Sequence, residues 1–439
     1  MMASSAKAAV LYRTIWRWHF YAGLFVIPFI AILSLTGAIY LFKPQIDRWE
    51  ERGFRNLPIA NTVSPVAQVE SALTLPGGPH LVHYRVPAAP GDAALVHVGL
   101  DDGTMRDVFV SPQGRVVGSL DPEARISETV SRIHGSLLMG KVGDWIVEMA
   151  ASWAIVMILT GLYLWWPRGR GLAGVVWPRR RALLRDLHAV TGFWVSGLAL
   201  VLLVSGLPWA SVWGNAFRMV RAEMGWVNGA ADWKLRGAPA EHADHDHAAM
   251  MRLAEQPGGT LRLLPVMVAY ARSERLAYPA LVTPPGNAMT WTIKSASQNR
   301  TLMRSISYDA VSAKEILRTG FAEKHPIDRL VGYGIAWHEG QLFGWINQLV
   351  GLLTALALLT LAGTGALMWW RRRPGGALGA PRVPIVPTRI GGVVVIIAVL
   401  ALFLPMLALS LIAVLIMEVL ILRRVPVVRD WLGLRASNG

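Results

Sequence analysis

The stretch 134–166, HGSLLMGKVGDWIVEMAASWAIVMILTGLYLWW, returns in outline at 338–370 as HEGQLFGWINQLVGLLTALALLTLAGTGALMWW. The two copies align without a gap. They share the first histidine, a glycine six residues later, and the Thr-Gly and Trp-Trp pairs near the end. A second alignment matches His19 with His188, each followed by glycine four and eighteen residues later. The chain is therefore predicted to consist of two related halves.

Composition indicates a membrane protein. The 439 residues are 53% hydrophobic and 16% charged, whereas soluble proteins carry about 25% charged residues. Four apolar runs approach or exceed the ~20 residues that cross a bilayer, at about 20–42, 145–166, 189–208 and 345–370. A fifth run, at about 390–422, is too long for one simple crossing. Pro405 lies near its middle, which predicts a hairpin whose first helix ends near Leu404.

Arginines mark one end of every run. They are Arg13, Arg17, Arg168, Arg170, Arg179, Arg180, Arg181, Arg185, Arg371, Arg372, Arg373, Arg423 and Arg424. The positive-inside rule assigns these ends to the cytoplasm. Six crossings satisfy the rule at every cluster, with both termini cytoplasmic and the segments 43–144 and 209–344 outside. We therefore expect a multi-pass membrane protein.

Charge and cysteine content exclude several classes. The net charge of +15 comes from residues at membrane edges, where they contact anionic lipid, so nucleic-acid binding is not expected. The first apolar run has no small-residue cleavage site and is expected to stay as a helix. Since the chain has no cysteine, disulfides, iron–sulfur clusters and covalently attached haem are excluded. It has no phosphate-binding loop, Ser-His-Asp set or HExxH motif.

The predicted fold class is a mainly α membrane protein. It has two parallel repeats with four core helices, a C-terminal hairpin and two extracytoplasmic α+β modules. The predicted segments are helix 1 (11–42), outer module 1 (43–124), a surface helix with helix 2 (125–166), a cytoplasmic loop (167–187), helix 3 (188–208), outer module 2 (209–327), a surface helix with helix 4 (328–370), a second loop (371–388) and the hairpin (389–424).

Alternating apolar residues between turn signals predict four strands in each outer module. In the first module they follow a helix at Ser64–Leu75 and lie at His80–Val86, Ala94–Leu100, Met105–Ser111 and Arg115–Leu120. In the second they follow a helix at Leu263–Arg272 and lie at Ala280–Thr283, Met289–Ser295, Met303–Tyr308 and Lys314–Leu317.

The four aligned histidines are the candidate site. An imidazole near or within a membrane is costly unless it is bonded or ligated, so such a residue often marks function. A b-type haem takes one axial ligand from each face, and a twofold repeat would place matching histidines opposite each other. The alignment therefore predicts an inner haem between His19 and His188, and an outer haem between His134 and His338. Gly23, Gly192, Gly135 and Gly340 would let the macrocycle approach the backbone.

The sequence also allows other interpretations of the four histidines. The histidines could be interfacial residues hydrogen-bonded to backbone, or zinc ligands, although zinc sites usually gather four ligands in one cluster. Possible haem-propionate partners are Arg13, Arg17, Arg132 and Arg185. Glu148 and Glu339 are the carboxylates near the histidines. The tract His242-Ala-Asp-His-Asp-His247 fits either a loose metal site or a solvated loop within a flexible insertion.

Several of these motifs carry a family resemblance. They are His134-Gly-Ser-Leu-Leu-Met-Gly140, Leu159-Thr-Gly-Leu-Tyr-Leu-Trp-Trp-Pro-Arg168, His19-Phe-Tyr-Ala-Gly23 and His188-Ala-Val-Thr-Gly192. The chain resembles the PepSY-associated transmembrane helix family from about residue 11 to 424, and its outer modules resemble PepSY domains. In the second half, Glu339-Gly340 stands where the first half has Gly-Ser.

The resemblance implies an activity. Family members of this shape include inner-membrane reductases of ferric siderophores with two histidine-ligated haems, here on His19, His134, His188 and His338. Electrons would come from a separate cytoplasmic reductase or from quinol, and would reach a ferric chelate outside, releasing Fe(II). Two other classes stay open: a haem conduit to another periplasmic acceptor, and a non-redox PepSY protein that binds or regulates a partner.

Overall fold

The computed structural model describes residues 2–166, 175–179, 182–226, 261–286, 289–381 and 391–434. The helices are α1 (Met2–Tyr40), α2 (Lys43–Glu50), α3 (Pro65–Ala72), α4 (Ile126–Ser136), α5 (Gly140–Trp165), α6 (Leu183–Gly206), α7 (Ser211–Glu223), α8 (Leu264–Ser273), α9 (Pro326–His338), α10 (Trp345–Arg372), α11 (Gly391–Phe403), α12 (Pro405–Met417) and α13 (Pro426–Leu432). The strands are β1 (His80–Arg85), β2 (Ala94–Gly99), β3 (Met105–Val110), β4 (Val116–Leu120), β5 (Ala280–Thr283), β6 (Thr290–Ser295), β7 (Arg304–Asp309) and β8 (Glu315–Gly320).

Four long apolar helices form a bundle. Helix α1 packs against α5 and α10, and α6 packs against the same two helices. Each is long enough to cross a bilayer, because 26 residues rise about 39 Å. In lipid the backbone must satisfy its own hydrogen bonds, so these runs of Leu, Ala and Val form helices.

The C-terminal apolar run breaks at the predicted place. Leu404 leaves the helical conformation, with φ −119° and ψ 87°, and Pro405 begins α12. The continuous segment Pro405–Leu422 is the fifth described helix that can cross a membrane. Helix α11, the predicted first arm of the hairpin, has 13 residues and rises about 20 Å, which is short for a straight crossing. The described residues therefore contain five membrane-length helices, where the sequence predicts six.

The strands form one sheet instead of two. All eight are antiparallel, in the order β4-β3-β2-β1-β5-β6-β7-β8. The two predicted modules join where β1 pairs with β5, with Tyr84 opposite Val282 and Arg85 opposite Leu281. Pairing two strands that would otherwise be edges satisfies their exposed N–H and C=O groups. Every predicted strand is present, with ends shifted by at most a few residues.

The two faces of the sheet differ. One face packs against α3 and α8 and forms the apolar core, in which Val96, Val282 and Ile293 are fully buried. The opposite face carries polar side chains, among them His83, Arg85 and Asp107, and lines a cleft with the first residues of α2 and α4. The second face also carries a smaller apolar cluster around Leu95 and Phe109, so its polar residues are concentrated at the cleft.

Candidate functional site

Each of the four predicted histidines contacts a hydroxyl group on a neighbouring helix. Through Nδ1, His19 bonds Thr160, His134 bonds Thr36, His188 bonds Thr364 and His338 bonds Ser205, at 3.0, 3.0, 3.0 and 3.1 Å. The first half of the chain supplies two of these contacts, and the second half supplies two at the aligned positions. Four separate histidines therefore have one common environment.

The hydroxyls determine which imidazole nitrogen carries the proton. Thr36, Thr160 and Thr364 each donate their hydroxyl hydrogen to the carbonyl four residues earlier, at 2.7, 2.8 and 2.6 Å. Ser205 donates to the carbonyl of Leu202 at 3.1 Å. Because each hydroxyl already uses its hydrogen, its oxygen accepts from Nδ1–H of the histidine. The lone pair of a neutral ring is then on Nε2, as in a histidine oriented to bind a metal.

A glycine follows each hydroxyl residue and lies against the ring. A Cβ atom on Gly161 would come 3.2 Å from Cε1 of His19, and one on Gly37 or Gly206 would come 3.3 Å from His134 or His338. At Gly365 the corresponding distance to His188 is 3.5 Å. The Ser/Thr-Gly pair thus supplies an acceptor and the space for the ring together.

Three of the glycines predicted to let a macrocycle approach, Gly23, Gly192 and Gly340, lie against side chains of neighbouring segments; that predicted role, and the one for Gly135, stay predictions. A Cβ on Gly23 would meet Met157 at 3.4 Å, and one on Gly192 would meet Leu361 at 3.6 Å. At Gly340 it would meet Leu41 at 2.6 Å. These glycines therefore allow close helix packing beside the histidines. The glycines that touch the rings are those of the four Ser/Thr-Gly pairs.

Thr36 and Ser205 are site residues that the histidine alignment missed. Both lie seventeen residues after an aligned histidine, directly before the aligned glycines Gly37 and Gly206. The sequence does contain a pattern that marks them, a hydroxyl residue followed by glycine, since Thr160-Gly161 and Thr364-Gly365 are aligned pairs of the same kind. It could not be interpreted without knowing which helix each pair faces.

The outer histidines face each other across the two halves. The ring centroids of His134 and His338 are 6.2 Å apart, with planes at 82°. The ring of Trp209 lies 5.7 Å from that of His338, edge to face. At the other end of the bundle, His188 lies within electrostatic range of His19. Along α1, seventeen residues, or about 25 Å, separate His19 from Thr36, so the histidines form an inner and an outer pair.

The two outer imidazoles are close enough to bind one group together. Their ring centroids are 6.2 Å apart, in an edge-to-face arrangement. Within the described residues, no cluster of three or more His, Cys, Asp or Glu could hold a metal ion. Two imidazoles are the donor set that a bis-histidine haem uses.

The turn between α4 and α5 positions the outer histidine. Helix α4 ends at Leu137, which is in the left-handed conformation with φ 51°. A Cβ on Gly143 would lie 1.7 Å from the carbonyl oxygen of Ser136, so only glycine permits this crossing. The chain thus bends between α4 and α5, and His134 lies beside α1.

The predicted propionate partners lie in different places. Both terminal nitrogens of Arg17 donate to carbonyls, of Pro381 at 2.6 Å and Gly433 at 2.8 Å, so Arg17 holds the C-terminal segment against α1 instead. Arg13 is exposed, and Arg132 donates to the carbonyl of Glu123 at 3.0 Å. Arg185 lines a cleft with Arg371 and Arg372. The roles predicted for Arg13, Arg132 and Arg185 stay predictions.

The two carboxylates have different partners. Glu148 accepts the backbone N–H of Val212 at 2.9 Å and of Trp213 at 3.0 Å, and so caps the first turn of α7. Glu339 is 6% exposed and lies 3.6 Å from Arg300. Burial raises the pKa of the Glu339 carboxyl. The His242–His247 tract lies outside the described residues.

Comparison with known proteins adds one finding. The model of the PepSY-associated TM region family matches residues 16–372, about four fifths of the chain. The matched range includes all four histidines and all four hydroxyl partners. Comparison with curated proteins finds no match.

Proposed function

The chain belongs to the PepSY-associated TM region family, and we propose that it is a membrane oxidoreductase with two b-type haems. Electrons enter from a cytoplasmic reductase or from quinol, and pass to a ferric siderophore outside the membrane. The iron is reduced to Fe(II) and leaves its chelator. The protein lies in the bacterial inner membrane with both termini in the cytoplasm.

One observation carries this proposal: the same histidine–hydroxyl contact occurs four times, and the rings of the two outer histidines lie 6.2 Å apart. A histidine retained only for packing has no need of a partner histidine about 6 Å away. The same contact in both halves supports a duplicated arrangement. Each haem would then take one ligand from each half.

Bound haem supplies one-electron chemistry, and two imidazole ligands leave no open position for oxygen or substrate. The chain's own residues do the rest. The hydroxyls of Thr36, Thr160, Ser205 and Thr364 hold each Nδ1–H, so that Nε2 is presented as the ligand. The apolar bundle excludes water. The two histidine levels, about 25 Å apart along α1, would give electrons a route across the membrane.

The basic residues at the helix ends support the proposed direction of electron transfer, from the cytoplasm outwards. Helices α1 and α6 begin, and α5 and α10 end, beside basic residues, which favours the cytoplasmic side for His19 and His188. The sheet and the His134–His338 pair then lie on the outside. Fe(III) binds hard oxygen ligands more strongly than Fe(II) does, so an electron delivered there weakens the chelate.

The test is an absorption spectrum of the purified protein, followed by two variants. We expect b-type α-bands on reduction and about two haems per chain. His134→Ala and His19→Ala should each remove one haem and leave the other. Loss of both haems from either change would contradict two independent sites. A haem-free preparation would instead favour a non-redox PepSY protein, and haem that no ferric chelate oxidises would favour another acceptor.

A further inference from the structure

The polar face of the sheet lines a cleft of about 280 Å³. Its charged and polar lining comes from both the sheet and the segments below it: Lys43, His83, Arg85, His97, Asp107 and Arg125. Pro279 and Leu281 add an apolar wall from the second half. The cleft is therefore built jointly by the two halves where β1 meets β5.

The cleft is close to the outer histidine pair along the chain. Ser127 lines it at the start of α4, seven residues or about 10 Å along the chain before His134. Lys43 lines it seven residues after Thr36, which bonds His134. Both segments that hold the outer histidine thus lead directly to this cleft. An acceptor bound there would lie next to the proposed outer haem.

Two histidines and an aspartate form a cluster inside the cleft. Nδ1 of His97 lies 2.7 Å from Oδ1 of Asp107, which is 6% exposed. The rings of His83 and His97 stack, with centroids 4.5 Å apart and planes at 18°. Burial, with a smaller effect of His97, lowers the pKa of His83 to about 3, so His83 stays neutral. A proton on this cluster is therefore carried by His97 and stabilised by Asp107.

The three cations that line the cleft, Lys43, Arg85 and Arg125, have carboxylate partners. Arg85 binds Glu51 through two hydrogen bonds, of 3.0 and 2.7 Å. Arg125 bonds Glu51 at 2.8 Å and lies 3.7 Å from Asp107, and Lys43 bonds Asp47 at 2.7 Å. The other charged groups near His97 and His83 are Glu50, Glu128 and Lys294. Among the groups that line the cleft, His97 is then the proton donor to a ligand, since Lys43, Arg85 and Arg125 are each paired with a carboxylate.

We propose that His97, held by Asp107, is the proton donor to the iron chelate that is reduced in this cleft. This inference rests on the proposed function. The chelate's Fe(III) takes one electron from the reduced protein and becomes Fe(II). An Fe–O bond breaks, and the freed oxygen takes the proton from Nε2 of His97. The imidazole is left neutral, with Nδ1–H still on Asp107, and water outside the membrane returns the proton.

The test compares two oxidants of the reduced, haem-loaded protein. One is a ferric trihydroxamate chelate, whose oxygens need protons on release. The other is ferricyanide, whose one-electron reduction needs none. In stopped-flow measurements, His97→Gln should slow reoxidation by the chelate by roughly 100-fold, as expected for loss of a general acid. Oxidation by ferricyanide, and the dissociation constant of the chelate, should stay within about twofold.

The pH dependence provides a second readout. In the wild type, reoxidation by the chelate should slow as the pH rises through the titration of an imidazole, and this dependence should be absent in His97→Gln. Asp107→Asn should slow the reaction less and keep some pH dependence. His80→Gln, an exposed histidine at the start of the same strand as His83, is the matched control and should behave as wild type.

The outcomes separate the two proposals. Unchanged rate and pH profile in His97→Gln would overturn the proton-donor role. So would weaker chelate binding with an unchanged rate for the bound chelate. If chelates fail to oxidise the wild-type protein, or if it holds no haem, the proposed function is wrong, and this inference with it.

Discussion

The inner and outer histidine pairs make the same hydroxyl contacts, but different kinds of helix carry them. His19 and His188 lie inside long helices of the bundle, and each bonds a threonine on another bundle helix. His134 and His338 lie in the last turns of the short helices α4 and α9, which connect the sheet domain to the bundle. The inner pair therefore depends on the bundle alone, whereas the outer pair also depends on the polar contacts that dock α4 and α9.

Those docking contacts are buried ion pairs. Arg125, at the start of α4, lies among Glu50, Glu51 and Asp107. Asp328, in the first turn of α9, pairs with Arg221 of α7, and both side chains are less than a tenth exposed. We therefore expect that breaking these ion pairs displaces the outer histidines and leaves the inner histidines in place. Three groups of variants test this difference between the two pairs, and they follow in decreasing order of expected effect.

The largest effect is expected from Arg221→Met. It leaves Asp328 buried without its partner charge, which costs about 3–5 kcal/mol. We expect a lower melting temperature and loss of the outer haem before the inner one. Haem content and thermal unfolding in detergent provide the measurements.

A control on the same helix and a double variant of the pair complete this test. Arg218→Ala, on the same helix, should have little effect, because its guanidinium bonds an exposed Asn215. Replacing both partners, with Arg221→Met and Asp328→Leu, should recover part of the stability. Equal loss of the inner and outer haems would show that the two sites are not independent.

Removing a single hydroxyl should have an intermediate and local effect. Thr36→Val takes the acceptor from His134, and Thr160→Val takes it from His19. Partners of this kind contribute roughly 10–100-fold to metal affinity. Each variant should therefore lose one haem preferentially during dialysis, the outer haem for Thr36→Val and the inner haem for Thr160→Val.

The matched control is Thr36→Ser, since Ser205 already makes this contact naturally in the second half. It should retain both haems. If Thr36→Val and Thr36→Ser behaved alike, the hydroxyl would have no part in holding His134.

The smallest effects are expected from alanine at the four ring-contact glycines, and they should be graded by distance. Gly161→Ala, with 3.2 Å to His19, should perturb its site most, and Gly37→Ala and Gly206→Ala slightly less. Gly365→Ala, at the ordinary contact distance of 3.5 Å, should be close to wild type. The positions of the reduced α-bands report the perturbation. A large effect at Gly365 with none at Gly161 would contradict this order.

Local patterns predicted much of this molecule. Alternating residues located all eight strands, because a strand with one apolar face has a period of two. The break at Leu404 followed from Pro405, which cannot donate a backbone hydrogen bond. The alignment identified the four histidines, since a duplicated site keeps its spacing. Membrane crossing followed from apolar length alone.

Other features depended on contacts between distant segments. Arg17 looked like a membrane-edge residue, but its guanidinium bonds Pro381 and Gly433, more than 360 residues away. The two outer modules looked separate, because nothing in β1 or β5 specifies its partner. The cluster of His83, His97 and Asp107 comes from three strands, and its members have no motif spacing along the chain.

By itself, the sequence determined which residues repeat, which runs are apolar and where the strands lie, because those properties depend on composition and short-range periodicity. Tertiary structure alone decided that the hydroxyl of one helix faces the histidine of another, and that two modules share one sheet. Only it decided that the outer rings lie 6.2 Å apart. Helix packing and strand pairing set these distances, and both depend on side chains that meet only after the chain has folded.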